Sequence, residues 1–255
     1  MMSSARHDGH PSLENLIEWE DIGIEVLHPG GLEITGELAE HCGISERSSV
    51  LDVASGTGGS ACFLAETYGC HVTGIDASEY MIERAARKAR ERGLKVELRK
   101  GDAHHLPFAE GTFDAVISEC TICLLEKEKA ISEMVRVAKR GGCVGMHDVC
   151  WRPGAPDELK LRLAEIENER PETIEGWRAL FERAGLVDVA AEDRSLLLRD
   201  WTRRMKRRLG IPGQFRIFLK AARKWGLAGL KTLLESEKIF ESDYLGYCLI
   251  AGKKP

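Results

Sequence analysis

The sequence of 255 residues lacks an apolar run long enough to cross a membrane. Its longest run, Tyr244–Ala251, is far shorter than the roughly 20 residues that span a bilayer. The first residues, from Met1 to Ser12, are polar and contain no apolar core of a signal peptide. We therefore expect a cytoplasmic protein.

The chain also lacks an excess of positive charge, because its net charge is −5 at pH 7. This balance argues against a general nucleic-acid binder. Hydrophobic residues make up 43% of the chain, enough to form a packed core. The composition therefore favours a globular protein that binds no nucleic acid.

A second CxxC pair is missing as well. Cys120 and Cys123 form one such pair, but no other stands at the spacing of a zinc ribbon, so we expect no metal site. The eight cysteines, in a chain without a secretion signal, are expected to be reduced thiols rather than a disulfide framework.

Strand-like and helix-like segments alternate along the chain, which predicts an α/β fold with a doubly wound, mostly parallel sheet. The strands are expected at 49–54, 72–75, 95–99, 113–118, 143–149, 186–191 and 244–252, and the principal helices at 13–28, 32–42, 126–140 and 173–184. The long stretch 195–242 predicts a helical cap inserted before the last strand. The predicted units are an N-terminal tail with a cap helix (1–30), a core (31–194), the insertion (195–242) and the last strand (243–255).

A glycine-rich loop, residues 55–59, follows the first predicted strand. Its glycines let the backbone approach a ligand closely, and the next helix offers free N–H groups. Asp76 lies 20 residues after Gly56, at the end of the second strand, where a carboxylate can accept both ribose hydroxyl protons. Loop and acid together predict a nucleotide-type site.

Asp52 distinguishes this loop from a dinucleotide-binding one. A carboxylate at the end of the first strand disfavours a pyrophosphate, and the glycines do not follow the GxGxxG spacing. Both features favour a cationic ligand that carries an amino acid, namely S-adenosylmethionine rather than NAD. Asp102, just after the third strand, is placed to recognise an adenine amino group.

Five segments, taken in order, resemble the successive motifs of class I S-adenosylmethionine-dependent methyltransferases. They are Val50–Gly58, Gly74–Asp76, Gly101–Ala103, Phe113–Ser118 and Val135–Gly142. The resemblance covers roughly residues 49–149 and implies a Rossmann-like sheet of seven strands with an antiparallel last strand. It also implies S-adenosylmethionine as cofactor, with Asp76 on the ribose, Asp102 on the adenine and Asp52 facing the methionine part. The full set of implied cofactor-binding residues is Asp52, Ala54, Ser55, Gly56, Thr57, Gly58, Asp76, Ala77, Met81, Asp102, Ala103 and Glu119.

Three branches of that superfamily share further features with this sequence. Gly30–Thr35, Ala184–Arg194 and His147–Cys150 resemble phosphoethanolamine N-methyltransferases, but Leu124 and Val149 stand where those enzymes have a histidine and a phosphate-binding tyrosine. Quinone-ring C-methyltransferases share the same core motifs. The resemblance therefore implies methylation of a small molecule, and the identity of that acceptor is left open.

The third branch is suggested by Ser118–Leu124, which is similar to an arsenite-methyltransferase segment whose cysteine ligates arsenic. Cys120 matches that cysteine, and Cys150 is expected to face the same crevice, so the two thiolates could bind a soft metalloid. The alternative is that Cys120, Cys123 and Cys150 are small buried core residues.

A basic stretch lies inside the predicted insertion. Between Arg199 and Lys224 there are ten basic residues and a single acid, Asp200, with apolar side chains at helical spacing. Such a helix can lie on an anionic membrane or bind an acidic ligand. The alternative is an active-site cap whose apolar stripe packs on the sheet.

Methyl transfer is an in-line displacement, and a general base is needed only when the acceptor carries a proton. The candidate catalytic residues near the crevice are His28, Glu119, Cys120 and His147, although His28 could equally be a turn residue before Pro29. The competing hypothesis from another class is a non-catalytic module that binds S-adenosylmethionine and docks through the basic stretch.

Overall fold

The structure, a computed structural model, describes Val26 and residues 28–255. Its strands are β1 Ser49–Val53, β2 His71–Asp76, β3 Val96–Lys100, β4 Phe113–Glu119, β5 Ala138–Trp151, β6 Glu172–Thr173, β7 Val187–Asp193 and β8 Leu245–Lys253. Its helices are α1 Leu32–His41, α2 Gly59–Tyr68, α3 Glu79–Glu91, α4 Lys127–Val137, α5 Asp157–Ile166, α6 Ile174–Arg183 and α7 Ser195–Phe240, with a short 3₁₀ turn at Ile122–Leu124.

The central sheet has the order β3-β2-β1-β4-β5-β8-β7, and the short β6 pairs with β5 outside this path. Strands β1 to β5 run parallel to their neighbours, whereas β8 runs antiparallel to both β5 and β7. The predicted α/β class is therefore confirmed, with an antiparallel last strand. Since β1 and β4 are almost wholly buried, their carboxyl ends lie at the middle of one sheet edge.

Two helices next to that edge begin and end as the sequence predicts. The Ser78 hydroxyl accepts a hydrogen bond from the Met81 N–H at 3.4 Å and so caps α3. Helix α2 begins after Gly58 and ends before Gly69, both in the left-handed conformation that favours glycine. Local sequence thus fixes the loops that line the site.

Other boundaries differ from the prediction. The helix predicted for 126–140 ends at Val137, and β5 begins at Ala138, because the backbone of 141–142 pairs with Lys254 near the end of the chain. Helix α5 and strand β6 were not predicted, since α5 has only Leu163 and Ile166 fully buried and so shows weak periodicity. The predicted tail and helix up to residue 25 lie outside the described residues.

Helix α7 occupies the stretch for which a helical insertion was predicted. Non-helical backbone at Gly210 (φ 58°) and Gly226 (φ 66°) divides it into three helical pieces. It starts just after β7 and returns to β8, whose first residue, Leu245, pairs with Trp151 at the carboxyl end of β5. Within the described residues, no helix is both long enough and apolar enough to cross a bilayer. The domain boundaries stay a prediction.

Trp177 of α6 holds the far end of β5 in place. Its side chain is fully buried, and its Nε1–H donates to the Val149 carbonyl at 3.1 Å. Val149 lies two residues beyond His147 on β5, so the same packing positions that histidine.

We expect Trp177→Ala to lower the free energy of unfolding by about 3–5 kcal/mol, because it leaves a large cavity and an unpaired carbonyl. Trp177→Phe should cost about 1–3 kcal/mol, mainly through the lost hydrogen bond. Urea unfolding measures both. Leu161→Ala, at a side chain that is 73% exposed, is the control and should change little.

Candidate active site

The carboxyl edge of the sheet collects most of the predicted site residues. Asp52 lies within β1, Asp76 ends β2, Glu119 ends β4, and His147 lies in β5 opposite Glu119. Because β1, β2, β4 and β5 run parallel, their carboxyl ends share this edge. The candidate active site is therefore a single crevice above the centre of the sheet.

The glycine-rich loop closes tightly at the end of β1. The Ser55 N–H donates to the Ile75 carbonyl at 2.9 Å, which ties the loop to β2. A Cβ on Gly58 would lie 2.7 Å from the Ala85 Cβ, so a larger residue would force α3 away from the loop. A Cβ on Gly56 would meet nothing within 4 Å, which leaves open space in front of the loop. Ala54 (φ 61°) adopts the left-handed conformation at the start of this turn.

Asp52 is a buried acidic side chain, and one of its carboxyl oxygens has no hydrogen-bond partner among the described residues. It is 2% exposed, and its Oδ2 has no hydrogen-bond partner among the described residues; the same holds for the Ser55 hydroxyl. Burial raises the pKa of Asp52 well above its usual range, and the carboxylates of Glu119 and Asp76 add to the rise. Orphaned polar atoms and accumulated negative charge beside open space fit a cationic ligand.

Asp76 and Asp102 are held by backbone groups. Asp76 Oδ2 accepts from the Gly56 N–H at 3.0 Å and its Oδ1 from the Ser78 N–H at 2.8 Å. Asp102 accepts from the His104 N–H and lies 2.9 Å from the His104 ring. Burial alone would raise the pKa of Asp102, but the hydrogen bonds from His104 outweigh it and lower that pKa. Both side chains are therefore fixed in position by backbone hydrogen bonds.

The other predicted cofactor residues surround the same loop. Thr57 accepts a hydrogen bond from Lys88 Nζ at 3.2 Å, which ties the loop to α3. Ala77 and Met81 lie just before and within the first turn of α3, and Ala103 follows Asp102. Their assignment to the cofactor stays a prediction.

Three of the four candidate catalytic residues meet in one buried cluster. His147 Nε2 lies 2.8 Å from Glu119 Oε1, and His28 Nε2 lies 3.2 Å from Glu119 Oε2. The exposed fractions of the three side chains are 0% for His147, 7% for Glu119 and 6% for His28. The two imidazole rings are 4.6 Å apart between centroids. We call this cluster, together with Ser60, Tyr247 and Cys120, the polar network.

Three further side chains complete the polar network. The Ser60 hydroxyl, in the first turn of α2, donates to Glu119 Oε2 and so joins the network to the glycine-rich loop. The Tyr247 hydroxyl lies 2.5 Å from His147 Nδ1 and 2.9 Å from Cys120 Sγ. Cys120, the fourth candidate, has positive φ (50°), a conformation that non-glycine residues seldom adopt.

The geometry fixes where protons lie in the polar network. Burial alone would raise the pKa of Glu119, but His28 and His147 outweigh it and hold that pKa well below its usual range. Burial lowers the pKa of His147. Glu119 is therefore a carboxylate that accepts from both rings. His28 Nε2 faces two acceptors, Glu119 and the Ser60 oxygen at 3.4 Å, so it carries the hydrogen.

In the neutral ring that has its hydrogen on Nε2, Nδ1 carries a lone pair, and this atom is buried without a partner among the described residues. A buried polar atom without a partner costs free energy unless it serves a ligand. Cys120 and Tyr247 keep their protons, because burial raises the pKa of both the thiol and the phenol well above their usual ranges. His28 is therefore the network member best suited to accept a proton.

The same three side chains could also hold a metal ion. One donor atom each from His28, Glu119 and His147 lies within 4.8 Å of the others. However, both Nε2 atoms point at the oxygens of Glu119 itself, at hydrogen-bonding distance, rather than at a common point between them. The observed contacts need a hydrogen on each Nε2, whereas a metal needs the Nε2 lone pairs.

The two cysteines of the soft-ligand hypothesis do not converge, which corrects the prediction for Cys150. Residues 147 and 150 are three apart on β5, so their side chains point to opposite faces of the sheet. Cys120 contacts Tyr247 on the face of His147, whereas Cys150 is fully buried and hydrogen-bonded to Cys248 on the other face. Cys120 and Cys150 therefore do not form a thiolate pair for a metalloid.

Sequence reasoning missed Ser60, Tyr247 and His104. Ser60 directly follows the recognised loop, so its position in the first turn of α2 was a usable signal. Tyr247 reaches His147 only because β8 pairs with β5 in a register that sets Tyr247 opposite Val149. His104 was not expected to do more than lie at the surface, yet its Nε2 accepts from the Glu126 N–H at 3.0 Å and so links Asp102 to α4.

Comparison with known proteins agrees with this geometry. Residues 50–142 match the family described as a methyltransferase domain. Methyltransferase GfsG of Streptomyces halstedii is 32% identical over 190 residues, which cover 69% of this chain and 68% of that protein. Phosphoethanolamine N-methyltransferase 1 of Triticum aestivum is 34% identical over 167 residues, covering 65% of this chain and 34% of that protein. The chain thus belongs to the class I S-adenosylmethionine-dependent methyltransferases.

The match to the wheat enzyme spans only about a third of that protein's length. Among solved structures, that of the [4+2]-cyclase SpnF has a TM-score of 0.73 and 27% sequence identity, and covers 87% of this chain and 80% of its own. The predicted family, the methyltransferase class and the predicted cofactor, S-adenosylmethionine, are confirmed.

We expect Asp52→Asn to weaken binding of S-adenosylmethionine by about tenfold or more, since it removes a charge that pairs with a cationic ligand. The ligand-free variant should be more stable than the parent at neutral pH. A raised pKa means that folding favours the protonated carboxyl, so stability is lost as pH rises from the usual Asp range towards the pKa of the folded state.

Calorimetric titration and melting temperature against pH measure these two effects. Asp188→Asn, at an exposed carboxylate on β7, is the matched control and should change neither. Equal donor affinity in Asp52→Asn and the parent would contradict the assignment of Asp52 to the cofactor.

Proposed function

We propose that the protein methylates a small organic acceptor at an oxygen or nitrogen that carries a proton, and that His28 removes that proton. The observation that supports this proposal most directly is the buried, unpartnered Nδ1 atom of His28. An acceptor O–H or N–H is the group that would satisfy this lone pair.

The polar network gives His28 the features of an oriented base. Glu119 Oε2 and the Ser60 oxygen hold the Nε2–H of His28, so its Nδ1 is the basic nitrogen. After proton transfer the ring would be a cation next to the Glu119 carboxylate, which stabilises it. A carboxylate that orients and stabilises a histidine base in this way is a recurrent catalytic arrangement.

His147 and Tyr247 limit the ways in which Glu119 can move. The carboxylate is fixed on its other oxygen by His147, and the Tyr247 hydroxyl fixes the far nitrogen of that ring. Both nitrogens of His147 and the Tyr247 hydroxyl have partners, whereas His28 Nδ1 has none among the described residues. We therefore assign them a positioning role and reserve the base for His28.

S-adenosylmethionine supplies a methyl group already activated on a sulfonium. The tasks left to this chain are to orient the acceptor, to exclude water and to receive a proton. Asp52, Asp76 and the Gly56 backbone surround the space beside the polar network, with Ser60 as the connection between the two. This proximity places the proposed base near the proposed donor site.

Acceptors that carry no proton at the attacked atom fit this site less well, because they would leave the His28 lone pair without use. Phosphate-bearing acceptors also lack support. None of the side-chain hydrogen bonds or ion pairs that the polar network makes among the described residues involves a Lys or Arg side chain, and Leu124 and Val149 replace two recognition residues of the phosphoethanolamine enzymes. A hydroxyl or amine on an uncharged ring or chain fits best.

Release of S-adenosylhomocysteine against a panel of phenols, hydroquinones, alcohols, amines, thiols and arsenite tests the proposal. Turnover with a hydroxyl or amine class supports it. Turnover confined to arsenite or to proton-free carbon acceptors, or none at all despite donor binding, would contradict it.

His28→Ala should lower kcat by a factor of about 10² to 10⁴, the usual contribution of a general base, while donor affinity stays the same. Glu119→Gln should also reduce kcat, because glutamine cannot stabilise a cationic His28. Steady-state kinetics and calorimetry separate the two effects. His71→Ala, at an exposed histidine that begins β2 at the opposite edge of the sheet, is the matched control.

A metal at the polar network would make activity sensitive to chelators, whereas the hydrogen-bonded arrangement predicts none. We expect full turnover after dialysis against EDTA, with no stoichiometric zinc, iron or manganese by elemental analysis. A metal bound at one equivalent and lost in His28→Ala would contradict this assignment.

A further inference from the structure

One stretch of α7, residues 201–234, which we call the basic segment, differs in charge from the rest of the chain. It contains ten Lys or Arg residues and no Asp or Glu, although the chain as a whole has a net charge of −5. Charge segregated this strongly within one surface segment provides a site for a polyanionic partner.

The middle helix of the basic segment also exposes a stripe of large apolar side chains. Ile211, Phe215, Phe218 and Leu219 follow the spacing i, i+4, i+7, i+8, which places them on one face. Their exposed fractions are 84%, 61%, 44% and 37%. A row of four such side chains is more than the scattered apolar exposure of an ordinary surface.

This exposed stripe is not the face by which the helix packs. Ile217, Ala221 and Trp225 form a separate face, which packs with Leu230 of the next helical piece. A third face carries Arg216, Lys220, Arg223 and Lys224, again at i, i+4, i+7, i+8. The apolar stripe thus lies between a basic face and the packed face, so basic side chains border it along one side.

Ion pairs join the first and last helical pieces of α7 near the sheet. Arg199 pairs with Asp243, and Lys206 lies 2.6 Å from both Glu237 and Glu241, so the outgoing and returning pieces are joined near the sheet. Both ends of α7 meet the sheet at the carboxyl edge. The exposed stripe is therefore carried by a fixed support on the side where the candidate active site opens.

We propose that the basic segment docks on an anionic phospholipid surface, with Ile211, Phe215 and Phe218 inserted among the acyl chains and Arg216, Lys220 and Arg223 on the headgroups. Exposed aromatic and aliphatic side chains beside a basic face are the combination that interfacial helices use. Charge alone would also suit a nucleic acid, but a nucleic acid offers no apolar phase for four such side chains.

Co-sedimentation with vesicles tests the proposal on the full-length protein. Vesicles of phosphatidylcholine alone are compared with phosphatidylcholine containing phosphatidylglycerol, at low and high salt. We expect binding to the anionic vesicles only, weakened by salt. Equal binding to both vesicle types, or to neither, would overturn the proposal.

Two double variants separate the apolar and the charged contributions. Phe215→Ser with Phe218→Ser, and Arg216→Glu with Lys220→Glu, should each reduce vesicle binding on the order of tenfold or more. The matched controls are Leu161→Ser with Val187→Ser, two exposed apolar residues elsewhere, and Lys95→Glu with Lys129→Glu, two exposed lysines elsewhere. These controls should bind as the parent does. Circular dichroism and donor titration verify that every variant is folded.

Other occupants of the stripe would produce different results, each of which overturns the proposal. Self-association that disappears in the serine double variant would indicate a second copy of the chain. Protection of Phe218→Cys from thiol labelling by S-adenosylhomocysteine without vesicles would indicate a lid over the active site. Duplex RNA or DNA that displaces the protein from vesicles through the stripe residues would indicate a nucleic-acid surface. None of these measurements needs turnover, so they are independent of the proposed base.

Discussion

The candidate active site depends on one buried negative charge, the carboxylate of Glu119. Glu119 ends β4 with its carboxylate almost fully buried, and it remains ionised because two imidazoles and one hydroxyl surround its oxygens. Removing any one of these donors would leave an unsatisfied buried charge, which is among the costliest defects in a protein interior. The positions of His28, Ser60 and His147, and hence of the helices and strands that bear them, are therefore coupled through one carboxylate.

The surroundings of Glu119 and of Asp52 change the pKa of the two carboxyl groups in opposite directions. The two acids lie near each other at the same sheet edge, yet burial and neighbouring carboxylates raise the pKa of Asp52 while the histidines lower that of Glu119. Two carboxyl groups with opposite environments can hold different charges at the same pH. The Glu119 carboxylate serves the polar network, whereas Asp52 keeps one oxygen without a partner among the described residues.

The parts of the site that sequence alone could predict are local. The strand, the glycine-rich loop, Asp52 and Asp76 lie within 28 residues of each other, and turn geometry constrains them directly. The polar network joins positions 28, 60, 119, 147 and 247, whose proximity depends on strand order and register. The prediction for Cys150 was wrong for a related reason. Cys150 lies three residues after His147 on β5, so it points to the opposite face of the sheet, and no sequence motif shows this. Helix α5 was missed because only one edge of it is buried.

The position of β8 between β5 and β7 has a consequence for how the protein is made. Tyr247 belongs to the last strand of the chain, yet it orients His147 in the middle of the sheet. A nascent chain that has already produced the donor loop, Glu119 and both histidines still has a gap in its sheet where this strand must enter. The contact between Tyr247 and His147 therefore forms only once β8 has paired with β5, so the polar network is completed by the strand that is synthesised last among those that carry it.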